Sequence, residues 1–193
     1  MALDRVANLL GTLSLVITDS TMDAIGEHAE RSPSDAAALS AMLNFLPRPS
    51  VDRLRQVLGL TPLGTVRLVD RLEAAGLVRR GAGADGRSTS VVLTAAGRRA
   101  ACRVGEARGA VLEASLQVLS DSERGQLDAL LAKVLVGRMR GPGAVRWMCR
   151  LCDMQACGRD DGRCPVAQAA RGHQAPFAPP GSGSAPAAGE PSH

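Results

Sequence analysis

Residues 49–99 read PSVDRLRQVLGLTPLGTVRLVDRLEAAGLVRRGAGADGRSTSVVLTAAGRR, and the fold is decided by how this stretch is read. Ser50 precedes a short apolar-periodic run, 51–58, and is suited to accept the open amides of a first helical turn. Gly59 tolerates the left-handed backbone that a helix exit often needs. Thr61 caps the next run, and Pro62 fits its first turn because its missing N–H costs nothing there. Thr65, Leu68, Val69 and Leu72 fall on one stripe of that helix, the face expected to be buried. Gly76 ends it. Residues 77–80 and 90–93 are short strands, and the Gly-rich run between them is a turn with Arg87 at its tip. Thr94 caps a further helix running from 95 towards 119.

Two short helices across a tight turn, followed by a basic hairpin, form a winged helix-turn-helix. Major-groove readout needs a rod of helical width, with a second helix to hold it at an angle. Thr61, Gly64, Val66, Arg67 and Arg71 are the candidate DNA-contacting positions. The amides near Thr61 can hold a phosphate. Val66 suits a thymine methyl, and the planar fork of arginine matches guanine. Asp70 lies beside both arginines and can pair with either. Arg87 is placed for a minor groove, with Arg79 and Arg80 flanking it and Asp85 bracing it across the turn.

Charge supports this reading. The chain has 193 residues and a net charge of +4. Residues 48–108 hold twelve Arg against five acids, so the remainder is negative. A basic excess on the reading module points to a polyanion partner. Aromatics are only 2% and Tyr is absent, which argues against single-stranded nucleic acid and its stacking platforms. Three His and no clustered acid–base pair leave few catalytic candidates, so no enzymatic activity is expected. No apolar run reaches the ~18 residues of a membrane span, and the N-terminus lacks a secretory pattern. A cytoplasmic protein without membrane association is expected.

Around the central stretch the chain reads as mainly α. Residues 3–29 form a long helix with Val6, Leu9, Leu10, Leu13, Val16 and Ile17 at helical spacing; simple core packing or a dimer interface would explain it. Ser32 to Asp35 caps a helix over 36–46. Ser120 and Glu123 form a capping box, opening a helix that carries Leu127, Leu130, Leu131, Val134 and Leu135. Cys102, alone on a helix, reads as a small buried hydrophobe. The expected organisation is an N-terminal dimerisation helix (1–31), the reading domain (32–99), C-terminal dimerisation helices (100–141), a cysteine segment (142–172) and a Pro-rich tail (173–193). The tail cannot bury enough apolar surface to fold and is expected to be disordered.

The cysteine segment carries Cys149, Cys152, Cys157 and Cys164, spaced C-x2-C-x4-C-x6-C and followed by Pro165. Four thiolates this close can hold tetrahedral zinc or an iron–sulfur cluster, and the spacing leaves both open. Free redox-active thiols are the third reading. Arg146, Arg150, Arg159 and Arg163 surround them and can lower thiol pKa values.

The residues LVDRLEAAGLVRR (68–80), the Asp85-Gly86-Arg87-Ser88 turn and VVLTAAGRR (91–99) resemble the winged-helix domain of the MarR family of bacterial regulators. The family's acidic-x-Arg wing motif falls on Asp85 and Arg87. The resemblance covers about residues 3–138. It implies a homodimer held by helices near 3–29 and 95–138, a pseudo-palindromic double-stranded DNA operator, and 61–75 as the recognition helix. Family members often bind phenolic ligands or sense oxidants, but no pocket residue for a small-molecule inducer carries over. The family pattern lacks the cysteine segment. The expected function is sequence-specific transcription regulation that responds to metal or redox state through the four-Cys centre. The alternative is a winged-helix dimer with a purely structural zinc or a protein-docking extension. An electron carrier is the weakest reading.

Overall fold

The computed structural model describes residues 4–83, 89–139 and 147–171. The expected wing tip with Asp85 and Arg87, and the tail from 173, lie outside the described residues. The elements in chain order are α1 (Arg5–Ala29), α2 (Pro33–Asn44), α3 (Val51–Leu58), α4 (Pro62–Ala74), β1 (Val78–Ala82), β2 (Thr89–Leu93), α5 (Ala95–Leu116), α6 (Asp121–Gly137) and α7 (Pro165–Arg171). This is the mainly α fold with a two-stranded wing that the sequence predicts.

The helix starts follow from local chemistry. Ser32, Ser50, Thr61, Thr94 and Ser120 each sit in extended backbone and accept an amide of the helix they open. Ser120 and Glu123 satisfy each other in the expected capping box. Gly59 closes α3 at φ +66°, where only glycine is unstrained. Helix α2 begins at Pro33 rather than 36 and ends at Asn44 rather than 46, because Ser32 caps the turn in which Pro33 already stands.

The hairpin is antiparallel, pairing Val78 with Leu93 and Ala82 with Thr89. It extends two residues past the expected end of its first strand, since Gly81 and Ala82 join the ladder. The chain before α3 is tied to it: Val91 N–H donates to the Pro49 carbonyl at 2.8 Å. One core joins these parts. Leu39 and Met42 of α2, Leu54 of α3, Leu68, Val69 and Leu72 of α4, Val78, Val91 and Leu93 of the hairpin, and Ala100 of α5 are all buried in it. A second cluster, Ile25, Ala29, Ala36, Val104 and Ala107, fastens α1 to α2 and α5.

Two helices stay largely uncovered. On α1 burial reaches only Thr21, Ile25 and Ala29, while Leu9 is 52% exposed. On α6 no residue is buried, and its Leu130, Leu131, Val134 and Leu135 face outward. Core packing within one chain therefore accounts for the Ile25 end of α1 but not for the apolar rows of its first half or of α6. Cys102 is exposed, against the expectation of a buried small hydrophobe. Helix α5 turns Ala100, Ala101, Val104 and Ala107 inward, and position 102 falls on the opposite side. The expected domain divide at 99/100 falls within α5, so the reading domain and the following helix share one rod.

The tightest joint is between the hairpin and α5. A Cβ added at Gly97 would lie 1.9 Å from the Leu77 carbonyl oxygen. Thr94 braces the same spot, its N–H donating to that oxygen at 2.9 Å. Gly97→Ala must push α5 off the hairpin. We expect a loss of about 1–3 kcal/mol or more, read as a lower urea midpoint at fixed protein concentration.

Candidate nucleic-acid interface and the cysteine segment

Helix α4 presents two faces of different chemistry. Thr65, Leu68, Val69 and Leu72 are buried, as the stripe predicts. Leu63, Val66, Arg67, Asp70 and Arg71 are exposed on the other side. Val66 and Arg67 thus project from the helix-turn-helix, as candidate base-contacting side chains must.

The other candidates are partly engaged within the fold. Gly64 N–H donates to Thr61 Oγ1 at 3.1 Å, and Thr65 N–H to the Thr61 carbonyl at 2.9 Å. Those two amides are therefore satisfied by the cap rather than open to a phosphate. Arg71 is not free either. Its Nη2 lies 2.7 Å from Asp35 Oδ1 and its Nε 3.2 Å from Oδ2, a two-pronged pair with a buried carboxylate of α2. That hydrogen bond raises the Arg71 pKa still further, so the guanidinium stays charged.

Asp70 pairs with neither Arg67 nor Arg71. It joins Glu73 in holding Arg80, which folds back from β1 onto α4. Arg80 N–H also donates to Glu73 Oε1 at 3.0 Å. Arg80 therefore locks the wing to the helix, whereas Arg79 points outward. Sequence reasoning missed Asp35 and Glu73. Their partners lie 36 and 7 residues away, and no local signal announced either pairing.

Comparison with known proteins agrees with this geometry. Residues 30–88 match the MarR family, a span that takes in α2, α3, α4 and β1. These residues are a MarR-family domain. Solved structures extend the likeness of fold. A MarR family protein from Bacillus stearothermophilus is 24% identical with a TM-score of 0.61, over 69% of this chain and 96% of that one. MepR, a transcription regulator of the Staphylococcus aureus multidrug efflux pump MepA, is 17% identical with a TM-score of 0.59, over 68% and 96%. The YusO protein from Bacillus subtilis is 22% identical with a TM-score of 0.58, over 67% and 91%. No curated protein matches the chain by sequence.

Beyond the MarR domain, the chain gathers its remaining cysteines. Cys149 and Cys164 are buried with Val166, and Cys152 and Cys157 pack against them. Tight turns bring them there. Gly158 and Gly162 both take left-handed backbone, at φ +62° and +72°. A Cβ at Gly158 would also press on the Arg163 side chain at 3.0 Å. Asp153 Oδ1 accepts the amides of Gln155 and Ala156, bending the chain between Cys152 and Cys157. Helix α7 follows directly from Cys164 and lies against α6.

The thiols differ in character. The Cys149 side chain hydrogen-bonds Cys152 and lowers its pKa to about 6, against the effect of burial, with Arg108 and Arg159 also favouring the thiolate. Cys149 is pushed up by the same hydrogen bond and by burial. Burial, with the nearby Cys164, pushes Cys157 up. Among the described residues no group of three or more His, Cys, Asp or Glu stands in the geometry of a formed metal site. No described helix is long and apolar enough to cross a membrane.

The two arginines of α4 should separate by stability. Arg71→Ala leaves the Asp35 carboxylate buried without its cation, and should cost about 1–3 kcal/mol. Arg67→Ala removes an exposed side chain and should stay within about 0.5 kcal/mol. Urea unfolding of both variants checks the assignment; equal midpoints would contradict it.

Proposed function

We propose that the chain is a DNA-binding transcription regulator that works as a homodimer on a pseudo-palindromic operator and responds to metal or redox state through four of its five cysteines, Cys149, Cys152, Cys157 and Cys164. The observation that carries the DNA reading is the locked helix α4, which shows Val66 and Arg67 to solvent on a MarR-family domain. A helix braced from two sides can enter a groove without first being ordered.

The dimer reading rests on α1 and α6. Each presents a row of exposed Leu and Val, and exposed apolar patches of this kind mark association surfaces. A second copy, with its own α1 and α6, would cover both rows. Its two reading heads would then sit about one helical turn apart, ~34 Å, when bound to DNA.

The sensing reading rests on the gathering of Cys149, Cys152, Cys157 and Cys164 in one small cluster. Four thiolates would hold zinc or an iron–sulfur cluster once drawn into a tetrahedral set. Filling the centre would shift the population between two head spacings, and so operator affinity. A structural zinc is the second reading. It is favoured by the packing of the cluster, with Met139 just past α6 and Val166 of α7 around it.

Retention of duplexes from around the protein's own gene tests the DNA reading. Arg67→Ala should weaken it by about 1–3 kcal/mol, roughly a five- to 150-fold loss. Affinity should fall steeply with salt. An unmodified protein that ignores such duplexes would overturn the proposal.

Metal analysis and a visible spectrum on anaerobically purified protein test the centre. Iron with sulfide absorption supports a cluster, and colourless zinc supports the other group. The double variant C149S/C164S should lose the metal in either case. If chelation lowers Tm while operator affinity stays constant, the zinc is structural and the sensing reading falls.

A further inference from the structure

The cysteine segment touches the rest of the chain at two separate places. Leu151 packs on the cluster of Ile25, Ala29, Ala36, Val104 and Ala107, where α1, α2 and α5 meet. Trp147 reaches the reading head itself. A methyl group placed at Gly59 would lie 3.7 Å from Trp147 Nε1 and 3.9 Å from Cδ1, ordinary van der Waals contact. Gly59 is the left-handed turn between α3 and α4. The segment therefore bridges the long helices and the hinge of the helix-turn-helix.

The indole is held from the cysteine side. The Arg150 guanidinium lies over its ring, 5.0 Å from the centroid, and Arg150 Nη1 donates to the Trp147 carbonyl at 2.9 Å. Trp147 stands two residues before the buried Cys149. Filling the centre would load Cys149 and Cys152, and Arg150 lies between them in the chain. Trp147 and Arg150 would move as a unit. Gly59, the residue that faces Trp147, has no side chain to absorb such a motion.

We propose that Trp147 is the positioning residue through which filling of the four-cysteine site reaches the helix-turn-helix, by shifting its contact with the Gly59 turn and so the angle of α4. The proposal rests on the sensing reading above and adds the route. Such a coupling has a characteristic size, about five- to 150-fold in affinity.

The test uses the full-length protein, reduced and freed of metal with a chelator. One portion receives Zn2+ alone; another receives ferrous iron and sulfide under anaerobic conditions. Binding to the duplex found in the retention assay is measured before and after. In the unmodified protein at least one portion should change its affinity at least about fivefold. W147A should load as much metal, bind the duplex equally well unloaded, and bring the loaded-to-unloaded ratio within about twofold of one. W147F, which keeps a ring against Gly59, should restore most of the ratio.

Trp147 is the only tryptophan of the chain, so its emission reports on the same contact. The emission maximum should shift on loading in the unmodified protein. A W147A ratio equal to that of the unmodified protein overturns the route and leaves the sensing reading standing. No affinity change in either portion of the unmodified protein overturns both. If W147A fails to fold or to load, emission decides: a shift on loading supports the route, and an unchanged spectrum overturns it.

Discussion

A buried carboxylate must be answered by a cation, and in this chain the answer fixes helix α4. Asp35 sits on α2 with its side chain 7% exposed, and Arg71 of α4 meets it with two hydrogen bonds. An unpaired charge there would be costly, so the pair sets the rotation of α4 about its own axis. Once that rotation is set, Thr65, Leu68, Val69 and Leu72 turn inward and Val66 and Arg67 turn out. Arg80 adds a second brace from the wing through Asp70 and Glu73. The electrostatics of the head thus divide into two groups. Arg71 and Arg80 hold the frame, while Arg67 and Arg79 remain exposed on its surface.

That division explains why the fold was easier to read from the sequence than the site. Helix caps are short-range chemistry. Ser50, Thr61, Thr94 and Ser120 each act on an amide three residues away, so the signal and its target are seen together. The buried stripe of α4 is likewise a local period. Arg71 looks from sequence like any exposed arginine on a helix, because its partner lies 36 residues upstream. Arg80 reads as a wing cation for the same reason. Cys102 misled differently. Helix α5 is built from Ala, Gly and Arg, and small residues occur on all its sides, so periodicity does not single out an inner face there.

The cysteine segment shows how little spacing alone determines. C-x2-C-x4-C-x6-C announces four sulfurs close in sequence, yet the intervening chain must reverse to bring them together. Gly158 and Gly162 permit the reversal through left-handed backbone, and Asp153 bends the chain ahead of them. In sequence these residues look like the filler of a loop. Their conformations make them as necessary to the cluster as the cysteines.

Helix α5 is where the parts of the molecule meet. Its start is wedged against Leu77 at Gly97, and its middle carries Val104 and Ala107 into the cluster shared with α1 and Leu151. A displacement of the cysteine segment at Leu151 would therefore bear on α5, and one at Trp147 on the turn before α4. Packed interiors answer such a load by switching between arrangements, not by yielding smoothly. The uncovered rows of α1 and α6 bear on the same proposal. Closing them against a second copy would anchor the long helices, so that motion at the cysteines would be taken up by the reading heads.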